Sequence, residues 1–393
     1  MKSKTIKTIA TVAFSFVFAA ASAVDFGGIV GNVTKFSVQP ETTYAVTQKN
    51  DVTGWLQVPF TADGSMYLAL EGVVRYTYDW TNKDNSGMHT VSTDISLLKY
   101  AYTARFTPGT ALQLSVGRFG ISDFTGIIFN QVSDGAFLQF RMPRFEASAY
   151  AGYTGLLNAH TVSILDAAGT AYSYDATKVY PLAAPYAVAG VSIHAPYLFA
   201  NQTVSGEFFV FCGVPGIDRT ITHDVHFDAT LGFSGPIVKN LFYTATTTVG
   251  KSNRENVSNL SRLTLTYYPP ALSSSVSASL LYASGKNGRL GAFRAFTSNK
   301  ATYSLLEPEY SGLIKAGLSG SVKPVTALLI LAGIDVVFAV PESTASYDGF
   351  QYMLQAQYQL FSDVQLGLAL SHFIGKTHEG DKFDMAFTAR MSF

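Results

Sequence analysis

Between Phe383 and Phe393 every second residue is apolar: Phe383, Met385, Phe387, Ala389, Met391 and Phe393. Asp384, Ala386, Thr388, Arg390 and Ser392 stand between them. A period of two is the pattern of a β-strand with one greasy face and one wet face. The same alternation recurs along the chain. Met66, Leu68, Leu70, Val74, Tyr76, Tyr78 and Trp80 share one parity, and Glu71, Arg75, Thr77 and Asp79 share the other. Val225, Phe227, Ala229, Leu231 and Phe233 alternate with His226, Asp228 and Thr230. Tyr352, Leu354, Ala356, Tyr358 and Leu360 alternate with Gln351, Gln355, Gln357 and Gln359. After residue 23 no uninterrupted apolar run reaches the ~18 residues that a spanning helix needs. Leu328–Val340 comes nearest, and Asp335 interrupts it.

Turn chemistry divides these strands. Tight turns read at Thr61-Ala62-Asp63-Gly64, Thr107-Pro108-Gly109, Met142-Pro143-Arg144, Pro196–Gln202, Ser234–Asn240, Pro269-Pro270, Lys323-Pro324 and Ser362-Asp363. Glycine supplies positive φ, proline fixes φ, and Asp or Asn closes a turn on its own backbone. Between the turns lie polar segments at 39–50, 81–91, 120–133, 157–182, 214–221, 251–257, 285–308, 341–349 and 375–381. Eight short turns and nine longer loops predict eighteen strands, or sixteen if Val24–Val38 or another weak strand is discounted. Short connections on one side and long ones on the other are the asymmetry of a transmembrane barrel. The predicted fold is all-β: a transmembrane, antiparallel, up-and-down β-barrel. A large soluble sandwich also alternates, but a chain of this length would divide into several domains. No linker, composition shift or blade-length repeat marks such a division.

The final strand, with its aromatic terminus, resembles the C-terminal signal strand of bacterial outer-membrane β-barrels. The resemblance assigns Phe383, Met385, Phe387, Met391 and Phe393 to an assembly signal read by the barrel-assembly machinery. The other end agrees. Lys2, Lys4 and Lys7 precede the apolar run Ile9–Ala20, and Ala21-Ser22-Ala23 offers a small-residue cleavage site. Residues 1–23 are expected to be a secretory signal peptide cleaved after Ala23, with 24–393 forming the barrel. The expected location is the bacterial outer membrane, in contact with its lipid.

Composition sharpens this. Charged residues make up 14 %, with 27 basic against 27 acidic. Without the three leader lysines, 24 basic residues face 27 acidic ones, which is no nucleic-acid footprint. Tyr 22 and Phe 29 provide the aromatic supply that interfacial girdles require. Cys212 is the single cysteine, so neither an internal disulfide nor a cysteine metal motif is available.

Charged side chains facing lipid cost about 2–4 kcal/mol for Lys or Arg at the midplane, so they are assigned to the inner parity. Glu71, Arg75, Asp79, Lys99, Arg105, Arg141, Glu146, Glu207, Asp224, Asp228, Arg262, Lys315 and Asp335 are the expected pore-lining residues, joined by Lys382, Asp384 and Arg390 near the chain end. Acids and bases balance, which predicts weak ion selectivity unless the signs segregate to opposite walls. Arg75, Lys99, Arg105 and Arg141 on strands three, four and six set against Asp224 and Asp228 on strand ten would do that; scattered, locally paired charges are the simpler alternative. Three residues resist the scheme. Arg118 shares the parity of Leu112, Leu114 and Val116, so either its strand has reached the outer rim or a bulge near Gly117 flips the register. Leu329 and Leu331 fall on the inner parity.

The third long loop is the most distinctive. Gly117-Arg118-Phe119-Gly120 ends one strand and Asp134-Gly135 opens the next; between them Ile127, Ile128 and Phe129 are unusually apolar for a loop in water. This resembles the surroundings of the inward-folded constriction loop of porins. The resemblance covers about twenty residues and assigns Phe124, Ile127, Ile128 and Phe129 to a loop that narrows the channel. Packing of this tip on another loop or subunit is the alternative. Loops 157–182 and 285–308, with Tyr172, Tyr174, Arg289, Arg294 and Phe296, are long enough to gate the pore or bind an external partner.

Catalytic and metal chemistry finds little purchase. His223, Asp224, His226 and Asp228 form the densest titratable cluster, but alternate positions on one strand stand too far apart to ligate one ion without help. No Walker A, GxGxxG or HExxH motif is present. The expected protein is a non-enzymatic, cofactor-free channel for passive diffusion of small polar solutes. The competitors are a transporter of hydrophobic compounds, like the fatty-acid barrels, and a surface adhesin or structural barrel. Val24–Val38 is too short for the N-terminal hatch of the fatty-acid barrels and lacks their Asn-Pro-Ala motif. Porins of this size are often trimers, so a homotrimer is the expected assembly.

Overall fold

The computed structural model describes residues 24–39, 43–83, 85–165, 172–215, 224–253, 256–270, 273–285, 290–297, 310–340, 346–376 and 381–393. Residues 1–23 with the expected cleavage site, His223 and Arg289 lie outside these. Among the described residues every named element is a strand: β1 (Asp25–Gln39), β2 (Thr43–Pro59), β3 (Met66–Thr81), β4 (Ser86–Thr107), β5 (Thr110–Ser122), β6 (Asn130–Met142), β7 (Phe145–Tyr153), β8 (Tyr186–Phe199), β9 (Gln202–Gly213), β10 (Val225–Val238), β11 (Leu241–Ser252), β12 (Ser258–Tyr267), β13 (Ser274–Ala283), β14 (Leu313–Val325), β15 (Leu328–Ala339), β16 (Ser346–Gln359), β17 (Val364–Gly375) and β18 (Lys382–Ser392). No helix among them is long and apolar enough to cross a membrane.

Each strand pairs antiparallel with the next, and β1 pairs with β18 from Ile29↔Ser392 to Val38↔Phe383. The sheet therefore closes into an eighteen-stranded barrel. Closure pairs the strand edges internally, which is the condition for a sheet to sit in hydrocarbon. The observed parity matches the alternation. Val74 and Tyr76 on β3, Leu231 on β10, Leu354 on β16 and Phe387 on β18 are exposed outside. Their alternating neighbours Asp228, Gln351 and Asp384 are buried inside.

Two predicted loops turn out to be mostly strand. β2 already begins at Thr43, and only residues 82–85 separate β3 from β4. Polar residues such as Thr47 and His89 make cross-strand contacts instead of breaking the ladder. Thr47 Oγ1 donates to Asp79 at 2.6 Å, and His89 meets the Tyr76 hydroxyl at 2.7 Å and the Tyr78 ring at 4.7 Å. Two predicted turns are likewise tighter than the sequence suggests. β8 and β9 pair to Phe199↔Gln202, with Ala200 and Asn201 at φ of 46° and 60°, a hairpin turn with both central residues left-handed. β10 runs on to Val238 and turns at Lys239-Asn240.

The exceptions resolve as follows. Leu328–Val340 is essentially β15, and its register against β16 is unbroken from Leu328 to Val337, so Leu329 and Leu331 do face inward, opposite Gln357 and Gln355. A bulge does exist, but in β4 rather than at Gly117. The pairing jumps at Ser96, and the outward row shifts from Val91 and Ile95 to Leu98 and Tyr102. On β5 the register is continuous and Phe119 stays inward, so Arg118 keeps the outward parity at the outer rim. There the fourth outer loop covers it: Leu156 O and the Tyr180 hydroxyl accept from its guanidinium at 2.9 Å each.

Candidate functional site: the bore and its loops

The third outer loop, 123–129, is organised by Asp123. One carboxylate oxygen accepts the N–H groups of Ile128 and Phe129 at 3.0 and 2.9 Å. The other accepts the Thr125 N–H at 2.8 Å and the Thr125 hydroxyl. Burial pushes the Asp123 carboxyl above the usual carboxylate range, while those donors pull against the shift. Gly126, at φ of 69°, completes the turn.

This fold delivers an apolar tip to the inner wall. Ile128 and Phe129 are 0 % exposed. The Phe129 ring lies 5.9 Å from Phe209, Phe211 and Phe296 and 6.3 Å from Tyr150. Phe209 and Phe211 belong to the inward row of β9, since Phe208 between them and Glu207 is exposed outside. Phe124 behaves differently and is 39 % exposed. Its N–H donates to Glu207 at 3.0 Å, and its ring occupies the space over Gly232 that a side chain there would fill.

The two longest loops meet the same tip. The N–H groups of Phe296 and Thr297 donate to Ile128 O at 3.0 and 3.1 Å, and Leu165 N–H donates to Phe296 O at 3.0 Å. Phe296 stacks on Phe211 at 4.2 Å and meets Tyr186 edge-on at 4.9 Å. Leu157, Ala184 and Phe293 belong to the same buried cluster. Segments that are far apart in sequence thus share one apolar core inside the outer half of the barrel.

The titratable residues line the inner parity with local partners. Arg141 pairs with Glu146 at 3.0 Å, Lys315 with Asp335 at 3.8 Å, and Lys35 with Asp384 at 3.2 Å. Ser96 donates to Glu71 at 2.5 Å, and Arg75 stands opposite Asp51 in the ladder. Such neighbouring pairs follow the local alternative more than two opposed walls. Arg105 and Arg262 are exposed on their strands. Asp228 is 1 % exposed, with His226 Nε2 at 3.0 Å from its Oδ2 in a contact that lacks hydrogen-bond alignment. Asp224 and His226 share a small cleft with Arg294 of the seventh outer loop. Among the described residues no group of three His, Cys, Asp or Glu side chains is placed to hold a metal.

Below the third loop a recess of about 290 Å³ opens on the inner faces of β4 to β9. Lys99 and Glu207 contribute its charges, Phe119, Phe137, Tyr150 and Phe209 its rings, and Ser115, Ser148 and Ser192 its hydroxyls. The Lys99 ammonium sits 5.8 Å from the Phe119 ring and 6.0 Å from that of Tyr67. Such contacts hold a cation at the wall without neutralising it.

Asp123, Tyr150, Phe209, Phe211 and Phe293 were not anticipated. One sequence signal was present. Phe208-Phe209-Val210-Phe211-Cys212 is apolar at both parities, which marks a strand packed on both faces. Nothing local distinguishes Asp123 from any other loop aspartate.

No protein-family model matches this chain, and no curated protein matches it. Solved structures do. Pseudomonas aeruginosa OccK7 (OpdD) aligns with TM-score 0.61 at 9 % identity, over 95 % of this chain and 99 % of that one. Acinetobacter baumannii OccAB4 aligns with TM-score 0.61 at 8 % identity, over 94 % and 98 %. Pseudomonas aeruginosa OccK5 (OpdH) aligns with TM-score 0.58 at 12 % identity, over 94 % and 98 %. At such identities the likeness concerns the fold, and that fold is the eighteen-stranded barrel over nearly the whole chain.

Proposed function

We propose that this protein is a bacterial outer-membrane channel through which small polar solutes diffuse, narrowed by its third outer loop. The observation that carries the reading is a closed barrel with an apolar outside and a charged, hydroxyl-rich inside. A polar inner wall is stabilised by water in a bore and would be costly against a packed apolar interior. The OccK7 (OpdD), OccK5 (OpdH) and OccAB4 structures share this barrel fold over nearly the whole chain, which supports the closed barrel on which the reading rests. No reaction or cofactor is invoked; the physics is a hydrated bore, a constriction and a charge pattern.

Phe129 and Ile128 hold the constriction from behind, and Phe124 with Glu207 forms its free edge. The pore-lining set named above then serves as a wall of mixed sign. Delivery to the membrane rests on the leader 1–23 and on recognition of the outward row Phe383, Met385, Phe387, Met391 and Phe393 by the barrel-assembly machinery. A homotrimer is the expected assembly.

Planar-bilayer recording with solute-size exclusion on refolded protein tests this. A stable ohmic current is expected, and removing 124–128 should raise the single-channel conductance. Absence of current combined with binding of detergent or fatty acid would instead favour a hydrophobic transporter. Absence of current with tight loop-dependent partner binding would favour an adhesin.

A further inference from the structure

The outward face of β1 and β2 carries an anomaly for a surface in lipid. Asn32 and Asn50 face each other across the β1–β2 ladder, and Asn32 Nδ2 donates to Asn50 Oδ1 at 2.7 Å. Both lie on the outward parity, since Val30 two residues before Asn32 and Val52 two after Asn50 are exposed there. Asn32 stands six residues beyond Phe26 and four before Phe36 in the same row. Phe36 stacks with Tyr44 at 6.1 Å in what reads as the outer aromatic girdle. At about 3.3 Å per residue along a strand tilted by about 40°, the amides lie about 15 Å above the lower aromatic and about 10 Å below the upper one. That is inside the hydrocarbon band.

The amides floor a shallow groove of about 420 Å³, in which Val30, Val52, Val74 and Ala389 are the short outward side chains and Tyr76 and Met391 stand at the two sides. The short side chains make the surface concave between the Tyr76 ring and Met391. Thr34 Oγ1 also donates to Asn32 Oδ1, at 3.4 Å. Each carbonyl oxygen thus has one donor and keeps a second lone pair, while three of the four carboxamide N–H groups have no acceptor among the described residues. Acyl chains offer no partner at this depth, and headgroups and sugars do not reach it.

We infer that this groove is where copies of the chain meet in the membrane, with the Asn32–Asn50 pair close to the symmetry axis. A second copy is embedded at the same depth and presents the same donors and acceptors. Beside a rotation axis identical residues face one another, so the patch needs no other complement. Short side chains let two sheets approach closely enough for the amides to bond across, as small residues do between membrane helices. The inference rests on the outer-membrane barrel reading and adds the contact surface that the reading leaves open.

The test is cysteine crosslinking on isolated outer membranes. Cys212→Ser removes the native thiol, and Val52→Cys or Val191→Cys then places one thiol outward, in the groove or on β8 far from it. Copper-phenanthroline should give a crosslinked oligomer with Val52→Cys at least tenfold more than with Val191→Cys. Adding Asn50→Leu should abolish it. Val30→Cys repeats the test from the other strand if Val52→Cys assembles poorly. Equal crosslinking at both sites, or none in the groove, overturns the inference, and so does crosslinking indifferent to Asn50→Leu. A protein that conducts in bilayers yet fails to crosslink sinks only the contact surface. A protein absent from the outer-membrane fraction sinks the barrel reading first.

Discussion

Arg118 clamps Asp134 across the β5–β6 ladder with two parallel hydrogen bonds, Nε to Oδ1 and Nη2 to Oδ2, each 2.8 Å. The same guanidinium donates to Ile95 O and Asp94 on β4 and to Leu156 O and the Tyr180 hydroxyl of the fourth loop. One side chain, 9 % exposed, thus ties three strands to the loop that covers them. A planar fork matched to a carboxylate is a task for Arg, not Lys.

Removing that fork should be costly. Arg118→Ala leaves Asp134 without its partner, and breaking a buried pair costs about 3–5 kcal/mol. Urea unfolding of the refolded barrel should show the loss, and Arg118→Lys should recover only part of it. A variant as stable as the parent would mean that the fourth loop holds itself down.

Phe129→Ala should open a cavity among Phe209, Phe211 and Phe296 and destabilise the loop core by about 3–5 kcal/mol. The barrel ladder does not depend on this ring, so the outer wall should survive. Hydrogen exchange at 123–129 should accelerate while the strand amides of β14 to β18 stay protected. Uniform loss of protection would show that the loops and the wall unfold as one unit.

Acid should not loosen the third loop through Asp123. Its carboxyl is raised by burial, so the stability it contributes is fully present below the ordinary carboxylate value and is lost as pH rises through the raised one. Lowering the pH from neutrality should therefore leave loop exchange unchanged or slower. Asp63 in the β2–β3 turn has the opposite sign. Hydrogen bonds from Ser65 and Thr61 hold it down at about 2. Its contribution is present above the ordinary value and fades as pH falls through about 2. Faster exchange of 123–129 at mildly acid pH would contradict the assignment for Asp123.

Phe393 meets Gly28 at the barrel seam: its N–H donates to Gly28 O at 3.0 Å and its own O accepts from Gly28 N–H at 2.9 Å. The Phe393 ring is 74 % exposed and lies over Gly28, where an added side chain would collide with it at 2.6 Å. Phe393→Ala should leave those backbone bonds intact yet reduce insertion into the outer membrane. Normal heat-modifiable mobility of the variant from whole cells would remove the signal role from this residue.

Spin labels at Leu354 and Gln355 should report opposite environments. Leu354 is exposed on the outer face and Gln355 points inward opposite Leu331. Oxygen should relax the first label and a water-soluble nickel chelate the second. Matching accessibilities would be incompatible with a lipid-facing outside and a wet inside.

The alternation of apolar and polar residues, together with turn chemistry, was sufficient for the inner and outer faces and for eighteen strands over the alternative of sixteen. The expected short-turn, long-loop asymmetry holds for the connections after β5, β7, β9 and β13, whereas those after β1 and β3 are as short as the turns. These are local properties: a period of two needs only neighbours in sequence, and a turn needs only a few residues with the right φ. The loop boundaries were read too generously at 39–50 and 81–91 because polar residues that pair across a ladder look, in sequence, like loop residues. Tertiary structure alone decided what gathers in the bore. Phe129, Phe211 and Phe296 are far apart along the chain, and Arg118 takes partners from both sides of its strand. Contacts between segments so distant leave no periodic trace, because each segment has its composition explained by its own surroundings only after the barrel has closed around them.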